Sequence, residues 1–316
     1  MNKNTKAWIA LVFICITWGT TYLAIRIGVL HYPAFLFAGI RQLVGGIILM
    51  IAAFAAKRNI DWSREHILRN ALIGGLMITM GNGLVTWGEK YIPSGVAALI
   101  CSMMPIFAVL FNLLSSRKEH FNITIAIGLV LGTLGVGIIF KDNIKDFSNT
   151  AYIGGMIATL IATSSWALGS IISKKNTRQT NPMFNSGMQL FFGGVFLLLF
   201  SPVVDDYKGI DYANSDALLS LAYLIVFGSV IAYAAYNFAL STLPVGVVTL
   251  YAYANPLVAV VMGYLLMSEP LNIYTVLAFL TIVVGVYLVN RGYRRQHRYM
   301  DEPDPVDAIA AFPVEN

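Results

Sequence analysis

The chain has 316 residues, of which 57% are hydrophobic and only 12% charged, with a net charge of +5. A soluble globule draws roughly 25% of its residues from the charged types, and a disordered chain is poorer in apolar residues than this one, so both classes are excluded. Two cysteines are too few for a disulfide scaffold, which leaves a chain whose solvent is mostly lipid.

Backbone groups in hydrocarbon must be hydrogen-bonded internally, so spanning segments are helices or closed barrels. Barrel strands alternate apolar and polar residues over about ten positions. Here the apolar runs are long and continuous, near the roughly 20 residues that cross a bilayer. In chain order they cover 7–29, 33–56, 68–88, 93–115 and 122–140, then 151–173, 182–202, 217–240, 244–267 and 272–290. The expectation is an all-α polytopic membrane protein of about ten transmembrane helices. The first run begins after Lys3 and Lys6, but it is too long for a cleaved signal peptide and is broken by Trp18 and Arg26. It reads as a retained helix. Residues 291–316 turn basic, then acidic with Pro303, Pro305 and Pro313, and read as a disordered cytoplasmic tail.

An even helix count puts both termini on one side, and the basic residues test it. The N-terminal side holds Lys3, Lys6, Lys57, Arg58, Arg64, Arg69, Arg117, Lys118, Lys174, Lys175 and Arg178, with Arg291, Arg294, Arg295 and Arg298 in the tail. The other side holds only Lys90, Lys141, Lys145 and Lys208. Fifteen against four places both termini in the cytoplasm by the positive-inside rule. Topology accounts for the net positive charge without a nucleic-acid partner.

The sequence also repeats. Trp18 matches Trp166 and Gly45-Gly46 matches Gly193-Gly194, all at a shift of 148. Pro93, Gly95 and Pro105 match Pro244, Gly246 and Pro256 at a shift of 151, and Glu119, Asn122 and Gly135 match Glu269, Asn272 and Gly285 at a shift of 150. Two repeats follow, 1–140 and 141–290. Because each holds five helices, the second enters the membrane from the opposite face, the inverted-topology plan of many secondary transporters.

On these residues the chain resembles the drug/metabolite transporter superfamily, specifically bacterial transporters with two EamA repeats. The carriers are Trp18-Gly19-Thr20-Thr21-Tyr22, Arg41 with Gly45-Gly46, the duplicated prolines, and Glu119 and Glu269. The resemblance implies a multi-pass protein of the bacterial inner membrane that exports amino acids, metabolites or toxic compounds. It implies a central cavity among helices 1–4 and 6–9, with helices 5 and 10 peripheral. Gln189 stands where the first half has Arg41, and Leu168 where it has Thr20, so the two halves are not chemically equivalent.

Ionisable groups inside a membrane are functional candidates by default. Arg41 lies roughly 12 Å into helix 2 at 1.5 Å per residue. Its fork of donors can bind a carboxylate or phosphate; the plainer reading is that it pins neighbouring helices. Arg26, nearer a helix end, reads as structural. No Asp or Glu falls in the middle of a span, since Glu89, Glu119 and Glu269 all lie near helix ends, which argues against a dedicated proton relay. Glu119 and Glu269 fit caps of the helices that follow.

A binding site is expected where polar and aromatic residues meet at mid-depth. The candidates are Trp18, Thr21 and Tyr22 in helix 1, Arg41, Asn82, Trp166 and Gln189 in helices 2, 3, 6 and 7, Tyr236 and Asn237 in helix 8, and Tyr253 and Asn255 in helix 9. Pro105 and Pro256 are candidate kinks, each removing a helix hydrogen bond. The aromatic residues suit a flat or apolar solute, or a cation. Gly128, Gly132 and Gly135 give helix 5 a small-residue face that reads as internal packing.

No enzyme is expected: His31, His66, His120 and His297 fall in loops or the tail, no His pair has metal spacing, and no Gly-x-Ser-x-Gly elbow occurs. Neither a metal nor another cofactor is implied, and no nucleotide-binding loop is present to drive a pump. The partners implied are a small-molecule substrate and the lipid bilayer, with oligomeric state left open. The sequence reading is a secondary transporter exporting a small organic solute by alternating access. A carrier of a phosphorylated or lipid-linked solute, such as a nucleotide sugar, is the alternative, and a membrane receptor or scaffold is the non-transport one.

Overall fold

The computed structural model describes residues 2–56, 60–115, 123–142, 149–174, 181–208, 210–243, 248, 251–268 and 272–301. Among them are ten helical rods and no strand. They are α1 (Lys3–Val29), α2 (Ala34–Ala55), α3 (Arg64–Gly88), α4 (Ser94–Cys101 and Met104–Ser115), α5 (Ile123–Asp142), α6 (Thr150–Lys174), α7 (Pro182–Val204), α8 (Ser215–Thr242), α9 (Tyr251–Met267) and α10 (Ile273–Asp301). Seven are long and apolar enough to cross a membrane; α5, α9 and α10 carry shorter apolar stretches at Ile123–Gly135, Ala254–Met267 and Ile273–Val289.

Asparagine opens many of these rods. The Asn2, Asn181, Asn214 and Asn272 side chains accept from the amides of Thr5, Met183, Ala217 and Thr275, satisfying donors that a first helical turn leaves orphaned. Ser63 caps α3 by accepting from His66 N at 3.4 Å. The helix therefore begins at Arg64, ahead of the apolar run at 68, and His66 is a buried helical residue and not a loop residue as expected. α10 likewise continues past 290 to Asp301, through the first part of the expected tail. Its sequence holds no proline to stop it before Pro303. Residues 302–316, Glu119 and Glu269 lie outside the described residues.

Apolar residues face outward, as a lipid solvent dictates. Ile9, Val12 and Ile16 form an exposed stripe on α1, and Ile47, Ile51 and Phe54 one on α2. Polar residues turn inward: Thr17, Thr21, Arg41, Gln42, Asn70, Thr86, Gln189 and Asn237 are all buried.

The helices pack in a two-fold pattern. α1 lies against α8 and α9 of the second half, whereas α6 lies against α3 and α4 of the first; α2 pairs with α7, and α5 with α10. The duplicated glycine pairs explain the α2–α7 crossing. A Cβ added to Gly46 would stand 2.5 Å from Phe191 N, and one on Gly194 would stand 2.5 Å from Leu43 N. Only glycine lets these backbones touch. The small face of α5 is taken up within the chain, with Gly128 against the Gly285 carbonyl of α10. α5 and α10 stand to one side of the bundle, pairing chiefly with each other.

One helix start is capped from the other half. α2 follows Pro33, whose side chain cannot accept a hydrogen bond. Asp205, just beyond α7, accepts instead from Leu36 N at 2.9 Å and Phe35 N at 3.3 Å, and is held by Ser201 Oγ at 2.7 Å. Removing this carboxylate strips the cap and a favourable charge from the helix start. We expect Asp205→Ala to destabilise the protein by about 1 kcal/mol, measured as a lower unfolding temperature in detergent.

Candidate functional site

α1, α2, α3, α4, α6, α8 and α9 surround a cavity, with Leu190 of α7 also lining it. The space open to the centre of a water-sized sphere is about 90 Å³, several times the roughly 10–15 Å³ that one buried water needs. Its shape follows from local departures from ideal helix. Residues Gly75–Gly83 of α3 and Leu224–Ile231 of α8, matching places in the two halves, are π-helical. Such widened turns frequently mark functional sites. A carbonyl in each receives a side-chain donor from another helix: Leu76 O from Ser165 Oγ at 2.8 Å, and Gly228 O from Trp18 Nε1 at 3.1 Å.

The α4 side of the cavity is set by Pro105, which cannot donate to the Cys101 carbonyl and breaks α4 at Ser102 and Met103. The break brings Cys101 and Ser102 to the cavity. Pro256, the equivalent position, lies inside α9 without interrupting it. Next to it the Asn255 amide, its nitrogen turned to the carbonyls, donates to Cys15 O at 2.9 Å and Tyr251 O at 3.0 Å.

A polar chain crosses one side. Arg41 Nε donates to Ser229 Oγ at 2.9 Å, Ser229 Oγ donates to Gln42 Oε1 at 2.9 Å, and Gln42 Nε2 donates to Asn82 Oδ1 at 2.9 Å. It joins α2, α8 and α3. Arg41 is 3% exposed, and its Nη1 is buried with no hydrogen-bond partner. Gly228 makes room for the guanidinium, since a Cβ there would stand 2.9 Å from Arg41 Nη2. Glu89, fully buried at the end of α3, acts on Arg41 electrostatically.

Aromatic rings pack around another part of the wall. Trp18 meets Trp166 edge-on at 5.8 Å, Tyr251 at 5.0 Å and Tyr236 at 5.1 Å, while Trp166 lies 6.2 Å from Tyr233. These tilted and T-shaped contacts are the arrangements aromatic quadrupoles favour. They give the cavity an apolar aromatic side beside its polar one, the two meeting at Gly228.

Of the residues expected at the site, Trp18, Thr21, Tyr22, Arg41, Asn82, Trp166 and Asn255 line this cavity. Three others stand behind its wall because packing consumes their polar groups. Gln189 donates to Asn70 Oδ1 at 2.9 Å and accepts from Tyr233 OH at 2.7 Å. Asn237 donates to Ser186 Oγ at 2.9 Å, and the Tyr236 hydroxyl pairs with Ser170 Oγ at 2.9 Å. The Tyr253 side chain lies outside the described residues. Gln42, Ser229, Cys101, Ser102 and Thr163 line the cavity unanticipated. Thr163 lies three residues before Trp166, a helical spacing that places both on one face; Ser229 is a single polar residue in a long apolar run. Among the described residues, no group of three or more His, Cys, Asp and Glu is placed to hold a metal ion.

Comparison with known proteins decides what this architecture is. The profile of the EamA-like transporter family matches twice, over residues 5–141 and 153–291. The chain belongs to the EamA-like transporter family. It is 34% identical over 303 residues to YedA of Escherichia coli K12, described as an uncharacterized inner membrane transporter, across 95% of this chain and 94% of that one. It is 28% identical over 295 residues to YvbV of Bacillus subtilis 168, described as an uncharacterized transporter, across 93% and 94%. A protein of known crystal structure aligns with a TM-score of 0.64 at 17% identity, covering 92% of this chain and 98% of the other, and shares the fold. This EamA-family chain is therefore a multi-pass membrane protein of a transporter family, built of two repeats.

The polar chain makes a prediction of its own. Gln42→Leu leaves Ser229 and Asn82 each short of a buried partner, which costs about 1–3 kcal/mol. The expected result is a clear fall in unfolding temperature, read in the same detergent as the parent protein.

Proposed function

We propose that this EamA-family protein is a secondary transporter that exports a small organic solute bearing a carboxylate, by alternating access across the bacterial inner membrane. The observation that carries the reading is Arg41: a guanidinium on the cavity wall, held by Ser229 through Nε, with Nη1 buried and without a hydrogen-bond partner. An unsatisfied buried donor on a cation is costly. A carboxylate of the solute relieves that cost and gains a charge-assisted hydrogen bond. The aromatic side then accepts the solute's apolar part. A cavity of about 90 Å³ favours a compact solute over a drug-sized amphiphile in this conformation.

The fifteen-to-four distribution of basic residues supports cytoplasmic termini. Two inverted halves give the cycle its structural basis, since exchanging their conformations turns a cavity open to one face into a cavity open to the other. Asp, Glu and His are absent from the described lining residues, which supports facilitated movement or exchange over a proton relay inside the cavity. Among the described lining residues Arg41 alone supplies positive charge, which favours a carboxylate over the several anionic oxygens of a nucleotide sugar.

The reading is tested in proteoliposomes with a panel of amino acids, small organic acids and amphiphilic cations, with and without a pH gradient. Carboxylate-bearing solutes should move and cations should not; a protein that moves only cations sinks the proposal. Arg41→Gln removes the charge yet leaves an amide able to reach Ser229. We expect it to slow transport by about tenfold to a hundredfold, the worth of a hydrogen bond to a charged group, with the unfolding temperature close to the parent's. Equal transport with lower stability would make Arg41 a structural residue.

A further inference from the structure

Arg26 and Lys174 were not part of the cavity, yet they occupy one position of the repeat. They are 148 residues apart, the same shift that relates Trp18 to Trp166. Each ends the first helix of its half, and each donates to the end of the third. Arg26 Nη1 donates to the carbonyl of Glu89, and Lys174 Nζ donates to the carbonyl of Leu240 at 2.5 Å and of Leu243 at 3.3 Å. Glu89 and Leu240 are 151 residues apart, the shift that relates Pro93 to Pro244 a few residues on. Donor and acceptor thus both obey the internal repeat. Because the acceptor is a main-chain carbonyl, the side chain there is free to change from glutamate to leucine without loss of the contact.

The two contacts lie at opposite ends of the bundle. α1 runs away from the face that carries the N-terminus, so Arg26 sits at the far face; α6 runs the other way, so Lys174 sits at the N-terminal face. We propose that these are twin latches, Arg26 closing the far face of the cavity and Lys174 closing the N-terminal face, and that the cycle releases one at a time. Helix-terminal carbonyls lack intrahelical partners and carry the negative end of the helix dipole. A cation seated on them holds the two helix ends together, and water replaces it when the face opens, so closing and opening are both reversible. The seam is the right one. α1 packs on α8 and α9 of the other half while its last turn grips α3 of its own, and α6 packs on α3 and α4 while its last residue grips α8. Arg69 Nη2 adds a tie at the N-terminal face, to the Ile172 carbonyl of α6 at 2.8 Å.

The inference rests on the alternating-access reading and is tested with the chain's own thiols. Cys101 lines the cavity, and Cys15 does not. In a Cys15→Ala background, Cys101 is labelled with a membrane-impermeant maleimide in right-side-out and inverted vesicles. Arg26→Gln should raise the rate of labelling from the far face about tenfold relative to the N-terminal face. Lys174→Gln should bias it the other way, by less, because Arg69 remains. Arg26→Lys and Lys174→Arg, which keep the cation, should return the parent ratio. A rise from both faces alike, or no change in the ratio, overturns the latches while leaving alternating access standing. If the parent protein labels from one face only under every solute condition, alternating access falls and the latches with it. Ala162→Cys on the α6 wall repeats the readout where Cys101 reacts slowly, and absence of labelling at both positions also overturns the proposal.

Discussion

In a lipid solvent a polar side chain has no water to turn to, so each one must find its partner inside the bundle. That constraint organises this protein more than any single contact does. It puts isoleucine, valine and phenylalanine on the outside of α1 and α2, and gathers threonine, asparagine, glutamine and arginine within. Once gathered, the polar groups satisfy one another across helices, as in the chain from Arg41 through Ser229 and Gln42 to Asn82. Arg41 Nη1, left without a hydrogen-bond partner on the cavity wall, is the group on which the proposed solute site rests.

The duplicated sequence solves the packing problem once and applies it twice, then departs from itself where chemistry is wanted. The glycine pairs are kept in both halves because α2 and α7 cross backbone to backbone. The π-helical turns of α3 and α8 are kept too, and each offers a carbonyl to a donor on a neighbouring helix. Position 41 is not kept. Arginine there faces the cavity, while its counterpart Gln189 is locked between Asn70 and Tyr233, with Asn70 in turn bonded to the buried His66. The charge belongs to the first half, while Gln189 of the second is spent in a hydrogen-bonded network that crosses to α3 of the first.

Much of this was legible in the sequence because lipid makes burial and span length readable from composition. The ten apolar runs, the two repeats and the inward placement of Arg41 and Trp18 all follow from hydropathy and spacing. What escaped was local backbone geometry. A π-helical turn has no composition of its own, so Ser229 reaches the cavity without a periodic signal. The start of α3 was misplaced because Ser63 and the first turn are polar, and hydropathy sees a helix only where it enters the lipid. Gln189, Tyr236 and Asn237 were expected at the site, but sequence cannot tell a side chain facing a cavity from one whose donors are already taken.

The unequal halves bear on how such a cavity moves. If both halves held an arginine at the position of Arg41, the solute would meet equivalent partners as the halves exchanged shape, and two cations would face each other in low dielectric, each raising the cost of the other. With Gln189 in place of the second, the cation stays with α2 throughout. Its anchor, Ser229, sits on a widened turn of α8, and α8 packs against α1. A solute carboxylate held by Arg41 would therefore stay tied to one half while the aromatic residues of α1, α6, α8 and α9 reform around its apolar end. In the proposed cycle, asymmetry at the site and symmetry at the crossings would then serve different ends: the crossings would let the halves exchange, and the single charge would keep one point of the solute fixed while they do.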